Sequence, residues 1–210
     1  MTSWQFVVSR KRPSEDGYVL ANLVKKHSKK RPAKALDAGC GDGLIVNILA
    51  EDSLERSKWL AIDISSLAAE AARSNLARFK NVSVECISFQ KFSKRKKEKR
   101  SFDLIVINPP YYGIERGRRS SRIEDALSRQ EGSLRVKEWV RGVFMLLKPG
   151  GFLWCCFRME RLPEILSEQI KQNIQPKEMW IKANSKNQKV FWLRSVCSEK
   201  PGGFQILEID

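Results

Sequence analysis

The sequence predicts an α/β fold in which helices cover both faces of a mostly parallel, doubly wound β-sheet. Three observations carry this prediction. Short apolar segments alternate with segments whose apolar residues recur at helical spacing. The segment Phe102 to Ile107 is almost continuously apolar, as in a central strand buried on both faces. Near the C-terminus two strand-like segments follow each other without a helix between them, which predicts an antiparallel hairpin.

In the first half of the chain, three predicted strands alternate with helices. Ser14 is the expected cap of the first helix, and Ser65 or Ser66 opens an alanine-rich helix after the second strand. The predicted ranges are Glu15 to about His27 (helix), Ala33–Asp37 (strand), a helix beginning near Leu44, Lys58–Asp63 (strand), Ser65–Phe79 (helix) and Val82–Ile87 (strand).

In the second half, the strand Phe102–Ile107 is stopped by Asn108-Pro109-Pro110, because a proline has no N–H to donate to a neighbouring strand. The later predicted ranges are Ser133–Leu147 (helix, ended by Lys148-Pro149-Gly150-Gly151), Phe152–Phe157 (strand), about Arg161 to Gln172 (helix), Met179–Ile181 and Val190–Val196 (hairpin), and a last short strand Phe204–Ile209.

Several side chains have expected positions within these elements. Cys155 and Cys156 should pack on opposite faces of their strand, since successive strand residues point to opposite sides. Trp180 and Trp192 should lie in the core of the hairpin. His27, at a helix end among lysines, is expected to be a surface cation or a helix cap.

Positive charge is concentrated in four short stretches. The 210 residues include 39 Lys and Arg against 24 Asp and Glu, for a formal net charge of +15. The stretches Arg10–Arg12, Lys25–Lys34, Lys91–Arg100 and Glu115–Arg122 carry net charges of +3, +6, +6 and +3. One such stretch is often only a solvated loop, but four in a small chain favour a nucleic-acid partner over an anionic membrane.

The composition is that of a globular chain, with 42% hydrophobic and 30% charged residues. No apolar run approaches the roughly 18 residues of a membrane span, and the first residues lack a signal-peptide pattern. Five cysteines without C-x-x-C spacing and a single histidine argue against a structural zinc site. We therefore expect a cytoplasmic protein with reduced thiols and no metal, present as a monomer or weak dimer.

The turn after the first strand indicates a ligand site. In a doubly wound sheet, ligands bind beyond the carboxyl ends of the strands, where glycines allow close approach of the backbone. The turn reads Asp37-x-Gly39-x-Gly41-x-Gly43. A dinucleotide fingerprint, G-x-G-x-x-G, would need glycine at Leu44, so a pyrophosphate cradle is disfavoured.

This turn instead resembles the S-adenosylmethionine (SAM) site of class I methyltransferases, in which a second acid ends the next strand. The resemblance implies a Rossmann-like, mostly parallel sheet of seven strands ending in an antiparallel hairpin, with SAM as cofactor and S-adenosylhomocysteine as product. Asp63 is the candidate for the ribose hydroxyls and Asp37 for the cationic amino end. The expected cofactor contacts are Asp37, Gly39, Cys40, Gly41, Gly43, Asp63, Ile64, Phe89 and Asn108.

Phe89 is included because the turn after the third strand, Ser88-Phe89-Gln90, lacks the acid that many such enzymes use to hold the adenine amino group. Its ring is expected to cover the adenine instead.

The tetrad Asn108-Pro109-Pro110-Tyr111 follows the fourth strand and matches the N-P-P-Y motif of methyltransferases that modify a planar nitrogen. Such a nitrogen delocalises its lone pair, so two acceptors are needed to hold its N–H bonds. The Asn108 side-chain oxygen and the Pro109 carbonyl are the candidates, Pro110 stiffens the turn, and Tyr111 offers a face for the base to stack on. No strong general base is needed, because the methyl donor is already activated.

Nearly the whole chain resembles the bacterial tRNA(Val) adenine N6-methyltransferase family, which modifies the adenine beside the anticodon. The matching segments are Asp16 to Val24, the SAM turn, Asn108 to Tyr111, Arg129-Gln130-Glu131, Lys148-Pro149-Gly150-Gly151, and Arg158-Met159-Glu160-Arg161-Leu162-Pro163. The resemblance implies an N-terminal helical extension over residues 1–32 and a methyltransferase domain over 33–210, together one structural domain. Family members commonly have histidine where Gln130 stands and an acid near Ser88 to Gln90.

The resemblance predicts RNA as partner, with tRNA as the first candidate. Phosphate contacts are expected from Arg116, Arg118, Arg119 and Arg122 after the tetrad, and from Lys94, Lys96 and Lys97. Two alternatives remain: a protein glutamine methyltransferase, since such enzymes share the tetrad, and an RNA-binding module without catalysis.

Overall fold

The computed structural model describes residues 15–28, 32–53, 57–109, 136–183 and 189–209. Within these ranges the helices are α1 (Glu15–His27), α2 (Leu44–Ser53), α3 (Ser66–Leu76), α4 (Phe89–Ser93), α5 (Val136–Leu146) and α6 (Leu162–Lys171). The strands are β1 (Lys34–Ala38), β2 (Lys58–Asp63), β3 (Val82–Cys86), β4 (Phe102–Ile107), β5 (Leu147–Arg158), β6 (Ile174–Ala183), β7 (Lys189–Cys197) and β8 (Gln205–Glu208). Short 3₁₀ turns cover Lys96–Glu98 and Met159–Arg161.

The strands form one sheet in the order β3-β2-β1-β4-β5-β7-β6-β8. Strands β1 to β5 pair in parallel, and β7 pairs antiparallel with both β5 and β6. The predicted Rossmann-like architecture, with its terminal antiparallel hairpin, is confirmed. The described residues contain eight strands rather than seven, because β8 adds to β6 in parallel.

Alternating side chains divide the buried residues between the two faces of the sheet. In β4, Ile105 and Ile107 pack with α5, whereas Leu104 and Val106 pack with α1 and α2. Cys155 and Cys156 join opposite clusters, as predicted. Trp180 and Trp192 are buried in the hairpin, which is also confirmed.

Helix α1 is tied to the sheet by a buried hydrogen bond, in which the Trp192 indole N–H donates to the Asp16 carbonyl at 3.0 Å. At the other end of α1, the His27 ring lies 4.8 Å from the Trp180 ring. Burial lowers the pKa of His27, against the opposing effect of Glu178. His27 therefore does not stand free at the surface: its half-buried imidazole packs on an aromatic ring that the linear sequence does not place beside it.

The structure differs from the prediction in three segments. Helix α4 was not predicted; Ser88 caps it by accepting the Lys91 N–H at 3.3 Å. Strand β5 begins at Leu147 rather than Phe152, because Leu147 pairs with Phe102 before the register shifts between Phe102 and Leu104. Strand β6 extends well beyond Met179–Ile181, since it pairs with β7 along its length despite an irregularity beside Pro176. No helix in the described ranges is long and apolar enough to cross a membrane.

Candidate cofactor site and catalytic edge

The register of two neighbouring strands brings the glycine turn and the tetrad together. In the parallel pair β1 and β4, Ala38 is the partner of Ile107. Gly39 and Asn108 are the next residues, so they leave the sheet side by side, on strands about 4.8 Å apart. We call this end of the sheet, where β1 to β5 finish, the carboxyl edge, and the opposite end the amino edge.

The glycine turn has a backbone that favours glycine at three positions. Gly39, Gly41 and Gly43 have φ values of +81°, +56° and +87°. A Cβ at Gly39 or Gly41 would meet nothing within 4 Å, whereas a Cβ at Gly43 would lie 2.9 Å from Leu76 Cδ1. Gly43 therefore lets α2 approach α3, and the other two glycines border open space at the carboxyl edge.

The N–H groups of the turn already have partners on β2. Gly39 and Cys40 donate to the Ile62 carbonyl at 2.8 and 3.0 Å, and Gly41 donates to Asp63 Oδ2 at 2.9 Å. A phosphate cradle requires such N–H groups to point at the ligand. This turn is instead held against β2, which agrees with the prediction that a pyrophosphate cradle is disfavoured.

Asp63 ends β2 and is half-buried. Its Oδ1 accepts the Ser65 N–H at 2.9 Å, at the residue that caps α3. Burial raises the pKa of Asp63, and the N–H groups of Ser65, Gly41 and Ile64 oppose this rise by stabilising the carboxylate. Ile64 is thus placed beside the site through its backbone.

Asp37 is the most deeply buried acid of the site. It is 0% exposed, and neither of its carboxylate oxygens has a hydrogen-bond partner among the described residues. Burial, with smaller contributions from Asp63 and Asp42, raises the pKa of Asp37 to about 8. Burial also raises the pKa of Asp42 and of the neighbouring Cys40 thiol.

Asp37, Asp42 and Asp63 place three acids at this site, which becomes more negative as each of them ionises. Among the described residues, none of the groups that shift the pKa of Asp37, Asp42 or Asp63 is a lysine or arginine. A positively charged ligand would relieve their repulsion, whereas an anionic ligand would increase it.

The first turn of α4 lies beyond the end of β3 and contains Phe89 and Gln90. The Phe89 ring packs against α5, where a Cβ at Gly142 would lie 2.7 Å from its Cε1. Gln90 Oε1 is buried without a hydrogen-bond partner among the described residues. The sequence-based prediction placed Phe89 over the adenine and gave Gln90 no role; the structure places both residues in the turn that follows the Ser88 cap.

Asn108 and Pro109 are half-buried at the carboxyl edge, and the Asn108 amide oxygen is shielded from solvent. The remaining predicted residues of this region, Pro110, Tyr111, Arg116, Arg118, Arg119 and Arg122, lie outside the described residues.

The predicted RNA contacts Lys96 and Lys97 lie at the amino edge, away from Asn108. Their 3₁₀ turn is tied to the first residue of β1 by the Lys34 Nζ to Glu98 Oε2 contact of 2.5 Å. Lys94, at the end of α4, leads into this turn and is exposed.

Comparison with known proteins gives a family match over most of the chain. A family model described as a methyltransferase domain matches residues 29–195. The ribosomal RNA small subunit methyltransferase C of Yersinia pestis is 36% identical over 94 residues, which are 44% of this chain and 26% of that protein. The matched segment therefore spans about a quarter of the length of this curated relative and of its counterpart in Yersinia pseudotuberculosis.

Solved structures share the fold at low identity. The N-methyltransferase NodS from Bradyrhizobium japonicum, in complex with S-adenosylhomocysteine, has a TM-score of 0.61 and 19% identity over 89% of this chain and 87% of that one. The ribosomal protein L11 methylase from Lactobacillus delbrueckii has a TM-score of 0.62 and 18% identity over 88% of this chain and 80% of that one. At these identities the likeness concerns the fold alone.

Proposed function

The chain belongs to the family of methyltransferase domains, and from this premise we propose that it is a SAM-dependent RNA methyltransferase acting on N6 of adenine, with tRNA near the anticodon as its substrate. The observation that carries the proposal is the β1–β4 register, which sets Asn108 beside the glycine turn. The methyltransferase domain would comprise residues 33–210, with residues 1–32 as a helical extension, and the enzyme would act in the cytoplasm.

S-adenosylmethionine fits the charge and shape of the site. The cofactor carries a sulfonium and an ammonium group, and the pocket offers three carboxylates, of which buried Asp37 has no hydrogen-bond partner among the described residues. Gly39 and Gly41 carry no Cβ atom and border open space, which leaves room for a ligand beside the turn. The likeness to NodS bound to S-adenosylhomocysteine supports the same cofactor. When bound, SAM supplies an activated methyl group.

Three side chains would each bind a different part of this cofactor. Asp63 keeps lone pairs for the ribose hydroxyls while it accepts the Gly41 and Ser65 N–H groups. Asp37 would balance the positive charge of the methionine part. Gln90 would accept a hydrogen from the adenine amino group, which would satisfy its buried Oε1.

Asn108 and Pro109 would hold the target amine. The Asn108 amide oxygen and the Pro109 carbonyl would each accept one N–H, which directs the nitrogen lone pair and stabilises the positive charge that develops on it. Tyr111 would stack on the target base, as the N-P-P-Y resemblance implies.

The net charge of +15 supports RNA as the substrate class. Arg116, Arg118, Arg119 and Arg122 would contact phosphates near the target base, and Lys94, Lys96 and Lys97 would contact phosphates farther away. The name of the Yersinia relative supports ribosomal RNA as a second candidate substrate, whereas the resemblance to the tRNA(Val) family favours tRNA.

Incubation with methyl-labelled SAM tests the reaction class and the substrate together. Total tRNA, small-subunit ribosomal RNA and a release factor are supplied in parallel, and labelled RNA is digested to nucleosides for mass spectrometry. We expect N6-methyladenosine from tRNA. Label in the ribosomal RNA alone would show that ribosomal RNA, and not tRNA, is the substrate. Label in a glutamine of the release factor would overturn the RNA proposal. If calorimetry detects no SAM binding, the alternative of an RNA-binding module without catalysis would replace the enzyme proposal.

A further inference from the structure

We propose that the amino edge of the sheet is a second RNA-binding surface, so that the substrate is a folded RNA long enough to contact both edges. This inference rests on the proposed function for the class of ligand. It adds a surface remote from the site and a minimum size for the substrate.

Exposed lysines are grouped along the amino edge. Lys58 is the first residue of β2, and Lys80 lies just before β3. Lys96, Lys97 and Lys99 are exposed on the segment that leads into β4. We call these five side chains the amino-edge lysines.

The acidic side chains on the segment before β4 and on β4 itself already have basic partners. Glu98 is paired with Lys34 at 2.5 Å, and Asp103 is paired with Lys148 at 2.8 Å. Both pairings lower the pKa of the carboxyl group, against the effect of burial. Among the described residues, the exposed lysines beside these pairs therefore form a net positive surface, which fits a chain of phosphates.

The segment that carries three of these lysines is held in place by the end of α5. The Arg100 and Ser101 N–H groups donate to the Met145 and Leu146 carbonyls at 2.8 and 2.9 Å. These carbonyls belong to the last turn of a helix and have no partner within it. The loop is thus fixed by acceptors that the helix end leaves available.

The backbone conformation of Arg100 in this loop is energetically unfavourable. Its φ is +51°, in the left-handed region that non-glycine residues avoid. The guanidinium lies 3.8 Å from the centre of the Phe144 ring and donates to the Leu147 carbonyl at 3.1 Å. Such backbone strain persists only where the surroundings impose it. The lysines are therefore presented on a preformed turn, which reduces the ordering required when a ligand binds.

The distance between the edges determines what ligand can use this surface. The six residues of β4 separate the Lys96–Glu98 turn from Asn108, a length of about 20 Å at roughly 3.3 Å per residue. At physiological salt, charges are screened over about 8 Å, so the amino-edge lysines have little effect on a small ligand at Asn108. They act by direct contact, and only an RNA long enough to span the length of β4 makes that contact while its target base is in the site.

RNA binding without catalysis tests this inference. The variant Lys96→Ala/Lys97→Ala is compared with Arg73→Ala/Arg141→Ala, which removes the same charge from exposed positions within α3 and α5. Affinity for full-length tRNA and for an oligonucleotide carrying only the target loop is measured by fluorescence anisotropy over a range of salt. SAM affinity of each variant shows that the fold is intact.

We expect the lysine variant to bind full-length tRNA about fivefold or more weakly. Its slope of log affinity against log salt should fall by about 0.7–0.9 for each phosphate that the variant no longer neutralises, with binding of the loop oligonucleotide unchanged. Equal slopes for the two double variants, or equal reductions in affinity for both RNAs, would overturn the inference while the proposed reaction stands. Failure of the parent protein to bind either RNA, or binding of an acidic protein in their place, would instead reject RNA as the substrate class.

Discussion

Asp63 and Gly41 are joined by a hydrogen bond that closes the glycine turn onto β2. The Gly41 N–H donates to Asp63 Oδ2 at 2.9 Å, and the Ser65 N–H donates to Oδ1 of the same carboxylate at 2.9 Å. A single side chain therefore connects the turn after β1 with the end of β2 and the start of α3. A carboxylate has about four lone-pair sites, and the Gly41, Ser65 and Ile64 N–H groups do not use all of them, so Asp63 can both build the site and bind in it.

Asp63→Asn is expected to weaken SAM binding by about tenfold or more, because one N–H loses its acceptor and the ribose loses a charge-assisted partner. Isothermal titration calorimetry measures the effect. Asp103→Asn is the matched control, since it removes an ion-paired carboxylate at the amino edge. Equal affinity of the Asp63 variant and the parent protein would exclude Asp63 from the cofactor site.

Asp37→Asn is expected to stabilise the protein in the absence of cofactor. The pKa of Asp37 is about 8 in the folded state, against an ordinary value of 3.8. Between these values the folded state holds a proton that the unfolded chain has released, so stability declines as pH rises toward 8. The amide cannot ionise and should raise the free energy of unfolding at pH 8 by about 5 kcal/mol, since each unit of pKa difference corresponds to about 1.4 kcal/mol. Denaturant unfolding at pH 5 and pH 8 should show the gain shrinking at the lower pH.

The same substitution should weaken SAM binding, because the pocket loses the charge that the cofactor needs. In the parent protein, affinity for SAM should rise with pH up to about pH 8, since the ligand competes with the proton on Asp37. Calorimetry in buffers of different ionisation enthalpy would detect the released proton. A pH-independent affinity in the parent, or an unchanged affinity in the variant, would show that Asp37 does not face the cationic ligand.

The sequence predicts the fold well where local pattern and burial agree. The apolar run of β4 and the alternation of Cys155 and Cys156 between faces follow directly from strand periodicity. The start of β5 does not, because Pro149 and Gly150 indicate a turn and only the pairing of Leu147 with Phe102 extends the strand. The environment of His27 likewise could not be predicted, because it depends on a contact with Trp180, which lies more than 150 positions along the chain.

In the candidate site, too, local sequence pattern predicts some features and tertiary contacts determine the others. The acids and glycines were identified from their spacing, because one turn contains most of them. The raised pKa of Asp37 and the burial of the Gln90 oxygen depend on tertiary packing, which the spacing does not contain. The location of Lys96 and Lys97 at the amino edge depends on the hydrogen bonds that fold their segment back onto α5 and β1.

Gln90→Leu tests whether its buried oxygen recognises the adenine amino group. The substitution removes a buried acceptor without a partner among the described residues, so the thermal stability without ligand should be retained or slightly improved. The parent protein should bind S-adenosylhomocysteine about tenfold more tightly than its inosine analogue, which presents a carbonyl in place of the amino group. The variant should lose this preference. A preference that survives in the variant would assign adenine recognition to another residue.

Asn108→Ala separates catalysis from cofactor binding. Because the Asn108 amide oxygen is proposed to accept a hydrogen from the target amine, its loss should lower the single-turnover rate of methyl transfer by about a hundredfold or more. SAM affinity should change little, because Asp37 and Asp63 are intact. Asn22→Ala, an exposed amide on α1 that donates to the Tyr18 carbonyl, is the control and should leave both quantities unchanged. A variant that loses SAM binding in proportion to its rate would place Asn108 in the cofactor site, and an unchanged rate would remove it from the reaction altogether.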